Sequence, residues 1–294
     1  MITLIMVLTR YALIHPFLNT LFSTLHFILL AISILCITIG GYIINDIFDV
    51  EIDHINKPNK VYVNQTIGIR SAWYNYIGFT IIGILIGIYV SKQIDEIYFS
   101  LIFIGSFLVL YIYSKYFKRY PLIGNITVAF MGSLVIYLIY LFETTGLKRE
   151  IGFLNILSRI FSSVTIYVFL VYYISFSFLT TLVREIIKDI IDINGDYHVR
   201  MKTLPILLGI KRTKAIAIIV TLLLFVLACL ITNDFFYSSS NIIAWYFLIC
   251  IILPLAYFIY VLWSAEKKKD FIFLSSFMKV IMLFGILSML LVKF

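Results

Sequence analysis

The sequence is poor in charged residues, and this shortage decides its broad class. Asp, Glu, Lys and Arg make up 13% of the 294 residues, whereas hydrophobic residues make up 62%. Soluble globular proteins contain about 25% charged and about 45–50% apolar residues. Most of this chain therefore cannot form the surface of a soluble domain. The composition indicates an integral membrane protein.

Cysteine and histidine are also scarce. The three cysteines, Cys36, Cys229 and Cys250, lie within apolar stretches, which argues against a disulfide framework and favours a packing role. The four histidines show no metal-ligand spacing, so a zinc site is not expected. The sequence also contains no Walker loop, dinucleotide fingerprint or nucleophile elbow, which removes the best-known signatures of ATP, NAD and serine-hydrolase chemistry.

Long apolar runs dominate what is present. They are long enough to cross about 30 Å of hydrocarbon and too long and uniform for strands. They predict an all-α, polytopic membrane helix bundle of about nine transmembrane helices, the first being the weakest because Arg10 and Pro16 interrupt it. We expect a single domain over residues 1–294, with two similar halves at 1–142 and 143–294. The predicted spans are 2–21, 25–44, 72–90, 97–113, 121–142, 160–183, 215–232, 242–263 and 271–292.

The basic residues predict an orientation. Of the 23 Lys and Arg residues, 16 fall in the gaps after the second, fourth, sixth and eighth spans, and 5 fall on the opposite side. Because Lys and Arg are enriched in cytoplasmic loops, the side with 16 should be cytoplasmic. The same rule explains the net charge of +8 without a nucleic-acid partner.

A cluster of acids closes the second span. Asp46, Asp49 and Asp53 stand at i, i+3 and i+7, a spacing that places all three carboxylates on one face of a helix. Like charges gathered so closely near a membrane need a counter-charge. The alternative is a solvated helix end, where three acids on one face have no evident purpose.

The same pattern, Asp-Ile-x-Asp-x-x-x-Asp, returns 143 residues later as Asp189, Asp192 and Asp196. Two matching acid faces at the ends of apolar segments suggest one site that is built from two halves and opens towards the cytoplasm. Carboxylate oxygens suit Mg²⁺, which usually combines a few carboxylates with substrate phosphates.

Cations accompany both acid motifs. Arg184 and Lys188 share a helix face before the second motif, and Lys202 follows it. Lys115 and Lys118 lie among tyrosines in another gap on the same side. These cations could bind anionic oxygens of a diphosphate, while surface ion pairs and an interfacial aromatic belt are the alternatives. In the following apolar run Asn125 carries an amide that needs polar partners if it is buried.

Together these features point to a diphosphate held by Mg²⁺ and by cations. If the diphosphate is a leaving group, metal and cations stabilise the charge that develops on it. Apolar and aromatic side chains would hold an isoprenoid tail, and aromatic faces could stabilise an allylic carbocation.

At these residues the sequence resembles the UbiA superfamily of intramembrane prenyltransferases, whose motif Asn-Asp-x-x-Asp-x-x-x-Asp matches residues 45–53. Residues 189–196 match the second aspartate-rich motif of the family. Within the superfamily, the stretches 53–58, 113–125 and 184–205 look most like the geranylgeranylglycerol-phosphate geranylgeranyltransferases. The resemblance implies nine helices around a central cavity, Mg²⁺ as the cofactor, and a prenyl diphosphate and a lipophilic acceptor as substrates.

The resemblance also implies residue roles. The six motif aspartates would be catalytic and would bind the metal. Asn45, Arg184 and Lys188 would bind the diphosphate. The further candidates for substrate binding, taken from the residues themselves, are Lys57, Lys115, Lys118, Asn125 and Lys202.

Departures from the family and several alternatives leave the acceptor open. Arg200 stands where relatives often have Gly, and 59–65 departs from the usual turn after Lys57-Pro58. The favoured acceptor is geranylgeranylglyceryl phosphate, and a quinone-precursor ring or haem is the alternative. A non-catalytic isoprenoid carrier would not need two acid triads. An ion-coupled transporter would place its acids nearer the bilayer midplane.

Overall fold

The protein is described by a computed structural model. The structure describes residues 1–18, 20, 22–56, 58, 61–145, 156–237 and 241–292, with the side chains of 156–165 left out.

Helices make up nearly all of this part of the chain, as the long apolar runs predict. The α-helices are α1 Ile2–Leu8, α2 Thr24–Phe48, α3 Val50–Asn56, α4 Ile69–Gln93, α5 Ser100–Lys115, α6 Ile123–Thr145, α7 Ile156–His198, α8 Leu204–Leu208, α9 Ile210–Tyr237, α10 Asn241–Phe247, α11 Leu253–Ser264 and α12 Lys268–Leu287. Short 3₁₀ turns at Ile97–Phe99, Phe117–Arg119 and Ser288–Leu291 and π-helical turns at Thr9–Ile14 and Leu248–Ile252 extend several of them.

Eight helical segments in the described ranges are long and apolar enough to cross a membrane. They correspond one to one to the second through ninth predicted spans. The weak first span becomes the shorter apolar helix Ile2–Ile14, whose second half is π-helical and contains Arg10. The all-α, multi-pass prediction is therefore confirmed. Helices suit this environment because every backbone hydrogen bond is made within the segment.

The chain divides into two compact units of non-contiguous segments. The motif unit, as we call it, comprises 22–127 and 192–210, and the second unit comprises 1–21, 128–191 and 211–294. The boundary within α7 falls between Ile191 and Asp192. The proposed repeat of 1–142 and 143–294 stays a prediction.

A hydrophobic cluster supports the first acid motif within the motif unit. Ile44 and Ile47 near the end of α2 pack with Ala72 and Tyr76 of α4. The ring of Phe48 makes edge contacts with neighbouring aromatic rings on α4 and α5. Farther along the same helix pair, the buried Ser33 Oγ donates a 2.6 Å hydrogen bond to the carbonyl of Gly83. The end of α2, where the acids lie, is thus fixed by apolar packing on one side.

In the second unit, a buried ion pair joins the π-helical turn Thr9–Ile14 to α6. Arg10 Nε lies 3.1 Å from Glu143 Oε1, and the two side chains are 2% and 0% exposed. His15 Nε2 lies 3.5 Å from the other carboxylate oxygen and accepts a 3.2 Å hydrogen bond from Arg10 Nε. Arg10 and His15 are polar residues within the first apolar run, and both have Glu143 on α6 as a partner.

The end of α7 forms a Schellman motif. The amide of Met201 donates to Asp196 O and the amide of Arg200 donates to Tyr197 O, which is the pairing that closes helices through a left-handed residue. Arg200 occupies that position with φ of 56°. A side chain with a Cβ is strained there, whereas glycine is not. Glycine at this position would relieve the strain.

We therefore expect Arg200→Gly to raise the free energy of unfolding by about 0.5–1 kcal/mol. Arg200 is exposed, so relief of backbone strain should dominate. The measurement is the thermal unfolding midpoint in detergent. Arg200→Ala is the matched control, because it removes the charge but keeps the Cβ. An equal gain from both variants would contradict the strain explanation.

Candidate active site

Asp49 is the centre of the first acid motif. Its Oδ1 forms an ion pair with Lys118 Nζ, and its Oδ2 accepts a 2.7 Å hydrogen bond from Asn45 Nδ2. Lys118 Nζ also lies 3.4 Å from Asn45 Oδ1. The structure thus joins three of the predicted site residues, although 69 residues separate Lys118 from Asp49.

The first motif differs from the prediction in one respect. It is not carried by an uninterrupted helix, because α2 ends at Phe48 and α3 begins at Val50, with Asp49 between them at φ −99° and ψ 5°. The amides of Asp49 and Asp53 still donate to the carbonyls four residues earlier. The helical turn therefore continues across the junction and keeps the acid spacing. Asp46 is exposed, and Asp53 is half-buried.

Two contacts hold the turn that carries Lys118. The backbone of Lys118 lies so close to Gly124, at the start of α6, that a Cβ on Gly124 would be 2.9 Å from Lys118 Cα. The carbonyl of the neighbouring Arg119 accepts a 2.9 Å hydrogen bond from the amide of Lys202. The 3₁₀ turn Phe117–Arg119 is therefore held against the start of α6 and against the segment that follows α7.

The second acid motif lies in the last turns of α7, as the spacing predicts. Asp196 is buried with 7% exposure, and its carboxylate interacts electrostatically with Asp192, Asp49 and Lys118. Lys118 also interacts with Asp53. Within the motif unit, Lys118 therefore interacts with carboxylates of both motifs, directly with Asp49 and at longer range with Asp53 and Asp196. Gathering acids in a poorly solvated place is costly unless cations offset their charge.

Arg184, Lys188 and Asp189 belong to the second unit. Arg184 Nη1 lies 2.7 Å from Glu185 Oε1, and Lys188 Nζ lies 2.8 Å from the other oxygen of that carboxylate. Glu185 is buried. The ion-pair alternative for these two cations is thus seen in the structure, and their phosphate-binding role stays a prediction. Sequence reasoning missed Glu185, although its position between the two cations was a usable signal.

The other predicted substrate-binding residues have different environments. Lys115 lies over the rings of Tyr111 and Tyr116, 5.8 and 5.1 Å from their centroids. These cation–π contacts fit the alternative of an interfacial aromatic belt. Asn125 is buried with 6% exposure, whereas the side chain of Lys202 is exposed. Lys57 lies outside the described residues.

Sequence reasoning also missed Asn56. Its Nδ2 donates a 2.9 Å hydrogen bond to the carbonyl of Asp192, and its Oδ1 accepts a 3.0 Å bond from the amide of Gly195. The only signal for it was its place between Asp53 and Pro58 in a stretch that resembles the family.

The motif carboxylates suit a cation that is also bound by the substrate better than a metal bound by protein side chains alone. Over the described residues, no three Asp, Glu, His or Cys side chains are grouped closely enough to hold a metal by themselves. Mg²⁺ does not require such a group, because it keeps waters and usually takes one or two carboxylates plus phosphate oxygens. The acidic oxygens around Lys118 are therefore a suitable donor set for Mg²⁺ that arrives with a diphosphate.

A profile of the UbiA prenyltransferase family matches residues 3–283. The chain belongs to the UbiA prenyltransferase family. It is accordingly a multi-pass integral membrane protein, and the predicted family membership is confirmed.

Within the family, the chain is similar to proteins that are named digeranylgeranylglyceryl phosphate synthases. The chain is 34% identical to the digeranylgeranylglyceryl phosphate synthase of Sulfurisphaera tokodaii over 201 residues, which cover 68% of this chain and 63% of that relative. It is 31% identical to the enzyme of the same name from Methanosphaera stadtmanae, over 86% of this chain and 84% of that one.

The fold is that of solved UbiA homologues. The structure of a homologue from Archaeoglobus fulgidus bound to DMAPP and Mg²⁺ matches with a TM-score of 0.57 and 14% identity, over 98% of this chain and 96% of that one.

Proposed function

We propose that this protein is an Mg²⁺-dependent prenyltransferase that moves a prenyl group from an isoprenoid diphosphate to geranylgeranylglyceryl phosphate. The observation that carries the proposal is the interaction of Lys118 with carboxylates of both acid motifs in the motif unit. A carrier of isoprenoids would not need this arrangement. The two relatives described above, both named digeranylgeranylglyceryl phosphate synthases, support this acceptor.

In this proposal, the acidic residues bind the metal and the basic residues bind the diphosphate. The aspartates of both motifs would hold Mg²⁺ together with the diphosphate, and Asp49, Asp53 and Asp196 among them also interact with Lys118. Bound Mg²⁺ neutralises the charge that grows on the leaving group, which agrees with the Mg²⁺ and DMAPP in the Archaeoglobus homologue. Lys118, already directed at the acids, donates to diphosphate oxygens, and Arg184 and Lys188 are the further candidates for this role.

The proposed reaction exchanges one C–O bond for another. The bond between the allylic carbon and the diphosphate breaks, and its electron pair leaves with the diphosphate. The free hydroxyl oxygen of the acceptor then bonds to the allylic carbon and gives up its proton to the released diphosphate. Stabilising the departing diphosphate is the main requirement, because an allylic cation is stabilised by its own double bond. The cations of the site meet that requirement.

We propose that the site faces the cytoplasm. The support is the excess of Lys and Arg in the gaps that contain both motifs. A cysteine at the exposed Tyr197, introduced after the three native cysteines are replaced, tests this. It should react with an impermeant maleimide in inverted vesicles and be protected in right-side-out vesicles. The opposite pattern would reverse the orientation.

An acceptor screen tests the reaction itself. Membranes that contain the protein receive labelled geranylgeranyl diphosphate and Mg²⁺, with geranylgeranylglyceryl phosphate, 4-hydroxybenzoate, dihydroxynaphthoate or haem as the acceptor. We expect label in the glyceryl phosphate product and none after EDTA treatment. Label in an aromatic ring or in haem would refute the proposed acceptor. No transfer, together with EDTA-insensitive binding of the diphosphate, would favour a carrier.

A further inference from the structure

The side chain of Asn56 connects the two acid motifs within the motif unit. Asn56 is the last residue of α3, three positions after Asp53. The two hydrogen bonds of its side-chain amide, described above, both go to the backbone of α7, at Asp192 and Gly195. A single side chain therefore joins the helix that carries the end of the first motif to the turn that carries the second.

The contact is so close that it requires glycine on α7. A Cβ on Gly195 would lie 2.4 Å from Asn56 Nδ2 and 2.8 Å from its Cγ. Real Cβ atoms do not approach that closely, so any larger residue would push the amide away from α7. Gly195 is buried and lies within a helix, where glycine costs stability relative to alanine. Its presence is explained by the approach of Asn56.

Two hydrogen bonds from the Asn56 amide constrain its position relative to α7 more than a single hydrogen bond would. One bond fixes a distance, whereas a donor and an acceptor on the same planar group also fix its orientation. Groups that share a bound cation must be held to within about 0.5 Å of the productive geometry. Residues 56 and 192 are 136 positions apart, so chain connectivity alone does not supply this accuracy.

We propose that Asn56 is a positioning residue that fixes the spacing of the two acid motifs and thereby sets the affinity for a divalent cation bound with a prenyl diphosphate. The inference rests on the proposed function, because it assumes that both motifs share that ligand. Asn56 need not touch the ligand itself. It acts through Asp192, Asp196 and Asp53.

The test measures metal binding rather than turnover. The full chain in detergent is titrated with Mn²⁺ in the presence of geranylgeranyl thiodiphosphate, and free Mn²⁺ is followed by electron paramagnetic resonance. We expect Asn56→Ala to weaken Mn²⁺ binding about 10–100-fold, as is usual when an outer partner of metal ligands is removed. Ser33→Ala is the matched control, since it removes another side chain to backbone bond of the same unit. It should lower thermal stability without weakening Mn²⁺ binding.

A second pair of variants separates positioning from general damage. Gly195→Ala should weaken Mn²⁺ binding as well, because its Cβ displaces the amide. In the Asn56→Ala background the same change meets no amide, so the double variant should bind Mn²⁺ about as well as Asn56→Ala alone. If the fold losses in Mn²⁺ affinity of the two single variants multiply in the double variant, the proposed contact is overturned.

The outcomes also distinguish the two proposals. Wild-type protein that shows no saturable Mn²⁺ binding with the thiodiphosphate would refute the proposed function. Wild-type protein that binds, together with an equally tight Asn56→Ala variant, would refute only the positioning role.

Discussion

Asp49→Asn is expected to lower prenyl transfer about 10²–10³-fold, the loss typical of removing one charge-stabilising group from an active site. The substitution preserves size but removes the negative charge that faces Lys118. It therefore removes a proposed ligand for Mg²⁺ and leaves the ammonium of Lys118 with less compensation. The measurement is the release of diphosphate and the transfer of label under saturating Mg²⁺.

Glu51→Gln is the matched control for this prediction. Glu51 is exposed and belongs to the same segment, but it is not part of the repeated acid spacing. It should retain activity close to that of the wild type. Asp192→Asn should reproduce the loss from the second motif. Wild-type turnover in both Asp49→Asn and Asp192→Asn would rule out a site shared by the two motifs.

Glu143→Ala is expected to destabilise the second unit by about 3–5 kcal/mol, because it removes the carboxylate that compensates the buried charge of Arg10. Both side chains are almost completely buried, and solvation cannot replace the lost carboxylate. We expect a large drop in the thermal unfolding midpoint in detergent and a smaller folded fraction in membranes.

The double variant Arg10→Met/Glu143→Met provides the internal check. Replacing both partners of a buried ion pair by apolar residues is often neutral or stabilising, so it should recover most of the loss. Tyr172→Phe is the control, since it removes an exposed 2.6 Å hydrogen bond to Asp234 in the same unit and should cost about 1 kcal/mol or less. A double variant as unstable as Glu143→Ala would show that apolar side chains cannot replace the pair at this position.

Several features of this protein were determined by the sequence alone. The length of each apolar run fixed where the membrane helices lie, because a helix must satisfy its own backbone in hydrocarbon. The spacing of Asp189, Asp192 and Asp196 placed them on one face of α7, since helical periodicity is a local property.

Only the tertiary structure decided which groups meet. The sequence suggested that Lys118 binds phosphate, but its contact with Asp49 depends on how α5 returns beside α2. The pairing of Arg10 with Glu143 and the bridge from Asn56 to α7 likewise connect residues more than 100 positions apart. Periodicity describes one element at a time, whereas a polar contact between elements depends on their packing and register. For that reason the acid motifs could be identified from the sequence, and the residues that hold them in place could not.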